Sequence, residues 1–152
     1  MKGSKLIMVL LLLGAMGCRE NEGELDFNAD PVFDLEVLAI DHQPDHHQLL
    51  LRLQLLHYPG DMLRFGLTTV PEHQARLEYY TLAFKEDLFL LAGRDTISCL
   101  DSHFERLHMD SPYRDFILTF PKSSGETPTD LILIDRQYTG EALQLKLPVD
   151  AQ

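Results

Sequence analysis

Val32-Phe33-Asp34-Leu35-Glu36-Val37-Leu38-Ala39-Ile40 places Phe33, Leu35 and Val37 at alternate positions, with Asp34 and Glu36 between them. Successive side chains of a strand point to opposite faces, so this run predicts a strand with one apolar and one acidic face. The period returns from Gln48 to His57, where Leu49, Leu51, Leu53 and Leu55 alternate with Leu50, Arg52, Gln54 and Leu56. Between the two runs stands Asp41-His42-Gln43-Pro44-Asp45-His46, rich in residues that preset or tolerate turn geometry. Two alternating runs about such a cluster predict an antiparallel hairpin.

Working outward, the same period continues. Met62 to Val70 carries Leu63, Phe65 and Leu67 in phase, after the break at Tyr58-Pro59-Gly60-Asp61. Arg76 to Phe84 carries Leu77, Tyr79 and Thr81, and both segments are expected to be strands. Asp87 to Leu91 and Thr96 to Leu100 flank Ala92-Gly93-Arg94-Asp95, which predicts a second hairpin. Asp101 to Met109 differs: Phe104, Leu107 and His108 lie three to four apart behind a capping Asp101 or Ser102, and predict one or two helical turns. Arg114 to Phe120, Asp130 to Arg136 and Ala142 to Leu147 complete the strands, with a Pro/Ser/Gly/Thr loop from Pro121 to Thr129. Many short strands with hardly any helix predict an all-β fold, two antiparallel sheets packed face to face, with a small β-barrel as the alternative. The closing runs Phe116-Ile117-Leu118-Thr119-Phe120-Pro121, Leu131-Ile132-Leu133-Ile134-Asp135 and Leu143-Gln144-Leu145-Lys146-Leu147 resemble the last strands of immunoglobulin-like modules in envelope lipoproteins. The Cys…Trp…Cys mark of antibody-type domains is absent, since the chain has no Trp.

The N-terminus carries a different signal. Lys2 and Lys5 precede the unbroken apolar run Leu6 to Leu13, and small residues follow at Gly14, Ala15 and Gly17. This is the order of a secretory signal, and the run is too short to cross the roughly 30 Å of hydrocarbon that about 20 apolar residues span. Ala15-Met16-Gly17-Cys18 resembles the lipobox of bacterial lipoproteins, although Ala15 stands where leucine is usual. The resemblance implies cleavage before Cys18 and acylation of its thiol. The rival is ordinary soluble secretion after Ala15-Met16-Gly17, with Cys18 a bystander. Glu20, Glu22 and Glu24 behind Arg19 resemble the acidic surface-export tether of Bacteroidota lipoproteins, or serve as a solvated linker. The expected organisation is a signal peptide over residues 1–17, a lipidated Cys18 with a tether to residue 30, and one domain over 31–150. That implies an outer-membrane lipoprotein facing the periplasm or the cell surface.

Composition narrows the partners. From Cys18 onward 135 residues remain, with 11 basic against 24 acidic side chains, so the processed chain carries a charge near −13. That field repels phosphate backbones and anionic lipid, which argues against nucleic acid and surface adsorption and leaves the acyl anchor as the membrane attachment. With Cys18 lipidated, Cys99 has no partner for a disulfide, and a Cys-rich zinc site is excluded. Cys99, in Thr96-Ile97-Ser98-Cys99-Leu100, reads as a small buried apolar side chain.

Chemistry-bearing patterns are few. His42, His46 and His47 cluster beside Asp41 and Asp45, and imidazoles suit zinc, nickel or copper, so they are the weak metal candidates, set against a plain solvated turn. His103-Phe104-Glu105-Arg106-Leu107-His108 faintly resembles a zinc-protease helix, but its histidines are five apart and fall on different faces. Neither a Gly-x-Ser-x-Gly elbow nor a phosphate-cradling glycine loop occurs. Tyr58, Tyr79 and Tyr80 are candidates for an aromatic patch, the alternative being Tyr79 packed inward and Tyr80 facing solvent. No catalytic residue and no cofactor is expected. The leading expectation is a non-enzymatic scaffold or partner-binding subunit of the cell envelope, and the second a small-ligand or metal binder using the histidine loop.

Overall fold

The computed structural model describes residues 32–104, 111–122 and 125–148. Eight strands run in the order β1 Val32–His42, β2 His46–Leu56, β3 Leu88–Ala92, β4 Asp95–Ser98, β5 Asp101–Phe104, β6 Tyr113–Pro121, β7 Asp130–Ile134 and β8 Ala142–Lys146. They form two four-stranded antiparallel sheets, β1-β2-β6-β5 and β4-β3-β7-β8. Lettered along the chain as A, B, C, C′, D, E, F and G, these orders are A-B-E-D against C′-C-F-G, the arrangement of an immunoglobulin-like sandwich. Neither sheet closes on itself, so the barrel alternative is not adopted.

The leading hairpin forms as its period dictates. Phe33 pairs with Leu55, Leu35 with Leu53 and Val37 with Leu51, which keeps every apolar partner on the inner face. A bulge between Val37 and Ala39 shifts the register and leaves Leu38 exposed at the sheet edge. Leu49 and Leu51 of β2 are opposite Leu118 and Phe116 of β6, with Leu53 opposite Arg114, and the facing sheet supplies Leu88, Leu90, Leu131 and Leu133 to the same buried core. Burying one such side chain contributes about 1.5–3 kcal/mol, so the two inner faces dominate the stability of the domain.

The 57–87 connection departs from the expected strands. Met62–Arg64 is a 3₁₀ turn, and the helix α1 spans Val70–Glu78. One wide turn over Tyr79–Ala83 and a 3₁₀ turn over Phe84–Asp87 then lead into β3. A capping box starts α1: the Thr69 hydroxyl accepts from Glu72 N–H, and the Glu72 carboxylate accepts from Thr69 N–H at 3.0 Å. Arg76, Tyr80 and Phe84, four apart, form the buried face, and the period-two reading of Leu77, Tyr79 and Thr81 is corrected accordingly. The expected helix over Asp101–Met109 is also corrected. Asp101–Phe104 is β5, paired with Phe116 to Thr119 of β6, because Ser102 and Phe104 alternate inward; the rest of that segment lies outside the described residues.

The helical excursion closes one end of the sandwich together with the 135–141 turn. Tyr138 stacks on Phe33 at 4.9 Å and its hydroxyl donates to the Met62 carbonyl at 2.7 Å. Buried Arg76 donates to the Phe65 carbonyl at 2.6 Å and lies 4.8 Å over the Tyr138 ring. The opposite end holds the β1–β2 turn, the β3–β4 turn and Lys122. There Lys122 N–H donates to the Asp45 carbonyl at 3.1 Å, and its ammonium to the Gln43 carbonyl at 3.1 Å.

Candidate functional site

Two places carry chemistry the fold alone does not require: the histidine turn and the outer face of the β3–β7 sheet. At the turn, His42 and His47 are direct cross-strand partners. Their Nδ1 atoms lie 2.7 Å apart, one ring donating and the other accepting, and the rings meet edge-on at 4.8 Å. His47 points inward with Phe120 and is only 5% exposed, whereas His42 is open to solvent. Burial pushes the His47 imidazole below the usual histidine range, and nearby His42, Lys122 and His46 act in the same direction. His46, one position earlier, falls on the other face and bonds Asp45 at 2.7 Å. That hydrogen bond is the main reason the Asp45 carboxyl sits below the usual carboxylate range. The structure therefore brings two of the three candidate histidines together and separates the third. Among the described residues no group of three or more His, Cys, Asp or Glu side chains is placed to hold a metal ion.

The two outer faces differ sharply in chemistry. On the β1-β2-β6-β5 sheet, Arg52 makes a two-pronged pair with Asp115 at 2.8 Å in each arm and lies 4.1 Å over the Tyr113 ring. Gln54 donates to Asp34 at 2.9 Å on the same face. On the other sheet, the outward positions of the two central strands are Phe89 and Leu91 of β3 and Ile132 and Ile134 of β7, all half-buried. Phe89 is directly opposite Ile132, and Ile134 is opposite Ala142 of the edge strand β8. The patch ends at Asp130, which accepts from Thr129 at 2.6 Å and Gln144 at 3.1 Å. A sheet with one wet face alternates apolar and polar residues, and strands buried on both faces read as continuous apolar runs. Leu88-Phe89-Leu90-Leu91-Ala92 and Leu131-Ile132-Leu133-Ile134 are runs of the second kind.

The remaining candidates have structural roles. Cys99 is buried and free, its thiol donates to the Asp101 carbonyl at 3.1 Å, and burial pushes it up to about 11. Tyr80 is fully buried against Phe84 and Phe116, while Tyr79 is half-buried, which reverses the expected orientation of that pair. Tyr58 packs edge-on against Phe65 at 5.1 Å, so the three tyrosines form no exposed patch. His103 projects outward from β5, and Cys18, Glu105, Arg106 and His108 lie outside the described residues. Sequence reasoning passed over two ion pairs, the buried Asp61–Arg114 at 2.6 Å and the pair of buried Asp87 with exposed Arg136 at 2.8 Å, because neither partner is near the other in sequence.

Comparison with protein-family models, curated proteins and solved structures finds no match. The functional reading accordingly rests on the chain's own chemistry. Among the described residues no helix is long and apolar enough to cross a membrane.

Proposed function

We propose that this chain is a membrane-tethered, non-enzymatic lipoprotein of the cell envelope whose sandwich binds a protein partner through the outer face of the β3–β7 sheet. The observation that carries the reading is the apolar quartet Phe89, Leu91, Ile132 and Ile134 on a face that solvent alone would keep polar. The occupant is a protein rather than a lipid surface. A processed chain near −13 is repelled by anionic headgroups. Attachment falls to Cys18, by its resemblance to a lipobox. The residues between Cys18 and Val32 reach at most about 45 Å when fully extended. Val32 is opposite Leu56, so the chain enters the sandwich at the end closed by the helical excursion.

Fractionation and capture test both halves. Cys18→Ser is expected to leave the envelope fraction and appear as soluble protein. A Phe89→Thr/Ile132→Thr form keeps β-favouring side chains and the buried core. It is expected to retain the wild-type circular dichroism spectrum and lose the species that wild type captures from detergent-solubilised membranes. If it captures the same species in the same amount, the outer face is not the binding surface.

A further inference from the structure

We propose that His42 and His47 form a two-nitrogen chelate for a borderline divalent transition cation, Cu(II) before Zn(II), at the end of the sandwich remote from the point where the chain enters it. The site is distinct from the partner-binding face and stands or falls without it.

The case begins with placement. His42 and His47 face each other across the β1–β2 hairpin, so the pairing register fixes both Cα positions before any ion arrives. One donor is held by the core, since His47 is packed inward beside Phe120. The other is exposed, and an entering ion replaces the proton that the two Nδ1 atoms share, which passes to solvent. A chelate assembled on two paired strands loses little conformational entropy on binding.

The separation then selects the ion. Imidazole nitrogens suit copper, nickel and zinc, with copper(II) favoured in the general order of affinities. Nitrogens about 2.0 Å from a metal sit about 2.8 Å apart at right angles, and about 3.3 Å apart at tetrahedral angles. The observed Nδ1···Nδ1 separation is 2.7 Å, close to the right-angled value. A tetragonal ion therefore enters with the smaller displacement, its remaining positions filled by water. His46 supplies no third donor, because it lies on the opposite face against Asp45. The Lys122 ammonium, engaged with the Gln43 carbonyl, adds positive charge nearby, so an ion is held there by nitrogen coordination and not by charge attraction.

The test is a Cu(II) titration of the full chain in detergent, read by calorimetry and by electron paramagnetic resonance. Wild type is expected to take one tight equivalent with splitting from two imidazole nitrogens. His42→Ala, a change at an exposed residue, is expected to weaken that equivalent by about tenfold or more and remove one nitrogen from the spectrum. His47→Gln is expected to match it, with circular dichroism confirming the fold. His46→Ala is expected to change neither readout, and Zn(II) to bind more weakly than Cu(II). Unchanged affinity in His42→Ala overturns the proposal, as does equal loss in His46→Ala. Zinc binding as tight as copper overturns the right-angled geometry.

Discussion

Removing Arg136, a residue 64% exposed at its side chain, is expected to cost more than its position suggests. Its guanidinium Nε donates to both oxygens of Asp87 at 2.8 and 2.9 Å, and the Asp87 side chain is only 4% exposed. The Tyr79 hydroxyl also donates to that carboxylate, at 2.8 Å. Arg136→Ala therefore leaves a buried anion without its charged partner. The cost falls on the stranded Asp87 carboxylate, and a buried acceptor left short of its partners loses about 2 kcal/mol. Asp87→Ala is a different loss: Arg136 returns to water, and Tyr79 forfeits one charge-assisted bond worth about 1.5 kcal/mol. The double variant has no stranded anion, so it is expected to resemble Asp87→Ala alone. The cycle then shows a coupling of about 2 kcal/mol, far from additivity. Urea unfolding followed by tyrosine fluorescence measures it, since no Trp obscures the signal. At about 2–4 °C per kcal/mol, Arg136→Ala shifts the melting temperature down by about 5 °C. Additive single and double variants, or an Arg136→Ala form within about 0.5 kcal/mol of wild type, would refute the account of a carboxylate sustained from the surface.

Three further outcomes follow from the same geometry. Cys99, whose thiol is pushed up to about 11 by burial, is expected to react with a thiol reagent at pH 8 only after unfolding; rapid modification of the native chain contradicts its packing. Gly93 turns β3 into β4 at φ +61, so Gly93→Ala is expected to cost about 1 kcal/mol in denaturant midpoint, and a neutral result would mean that the turn relaxes. Asp130 is held below the usual carboxylate range chiefly by the Thr129 hydroxyl and then by Gln144, so it contributes stability above its unfolded value that is lost as pH falls through the folded one. Asp130→Asn is thus expected to flatten the acid limb of the stability curve below about pH 4, and parallel limbs for the two forms would contradict this.

Period two was a sound guide wherever the inner face of a strand is uniformly apolar. The hairpin of Val32–His42 and His46–Leu56, the strand β6 and the edge strand β8 follow it. It misled in the 62–84 segment because the helical face there runs Arg76, Tyr80, Phe84, and its first member is an arginine. Counting Arg76 as polar hides a spacing of four and leaves Leu77, Tyr79 and Thr81 to imitate a strand. The readable sign was Thr69-Val70-Pro71-Glu72, a capping box with proline inside the first turn. An arginine can take such a place because its stem packs while its head finds the carbonyls of Leu63, Phe65 and Gln137, partners no local pattern names.

The candidate sites were legible to different depths for a related reason. The histidine cluster was visible as composition, but only the register decides which members meet. Pairing His42 with His47 places them on one face, and the same alternation sends His46 to the other. A slip of one residue would have joined a different pair and left the inner leucines in water, so the burial of Leu49, Leu51 and Leu53 is what selects the two imidazoles. The outer patch follows the same logic in reverse. Continuous apolar runs at Leu88–Ala92 and Leu131–Ile134 contain no alternation to reveal which half faces outward, and a buried central strand reads identically. Only when the sandwich has used Leu88, Leu90, Leu131 and Leu133 for its core do Phe89, Leu91, Ile132 and Ile134 become a surplus that folding itself does not consume. A second apolar face, half-buried and outside the core of the sandwich, is where a partner would gain most from binding, and that surplus is the physical basis of the proposal that this chain is a tethered partner-binding sandwich.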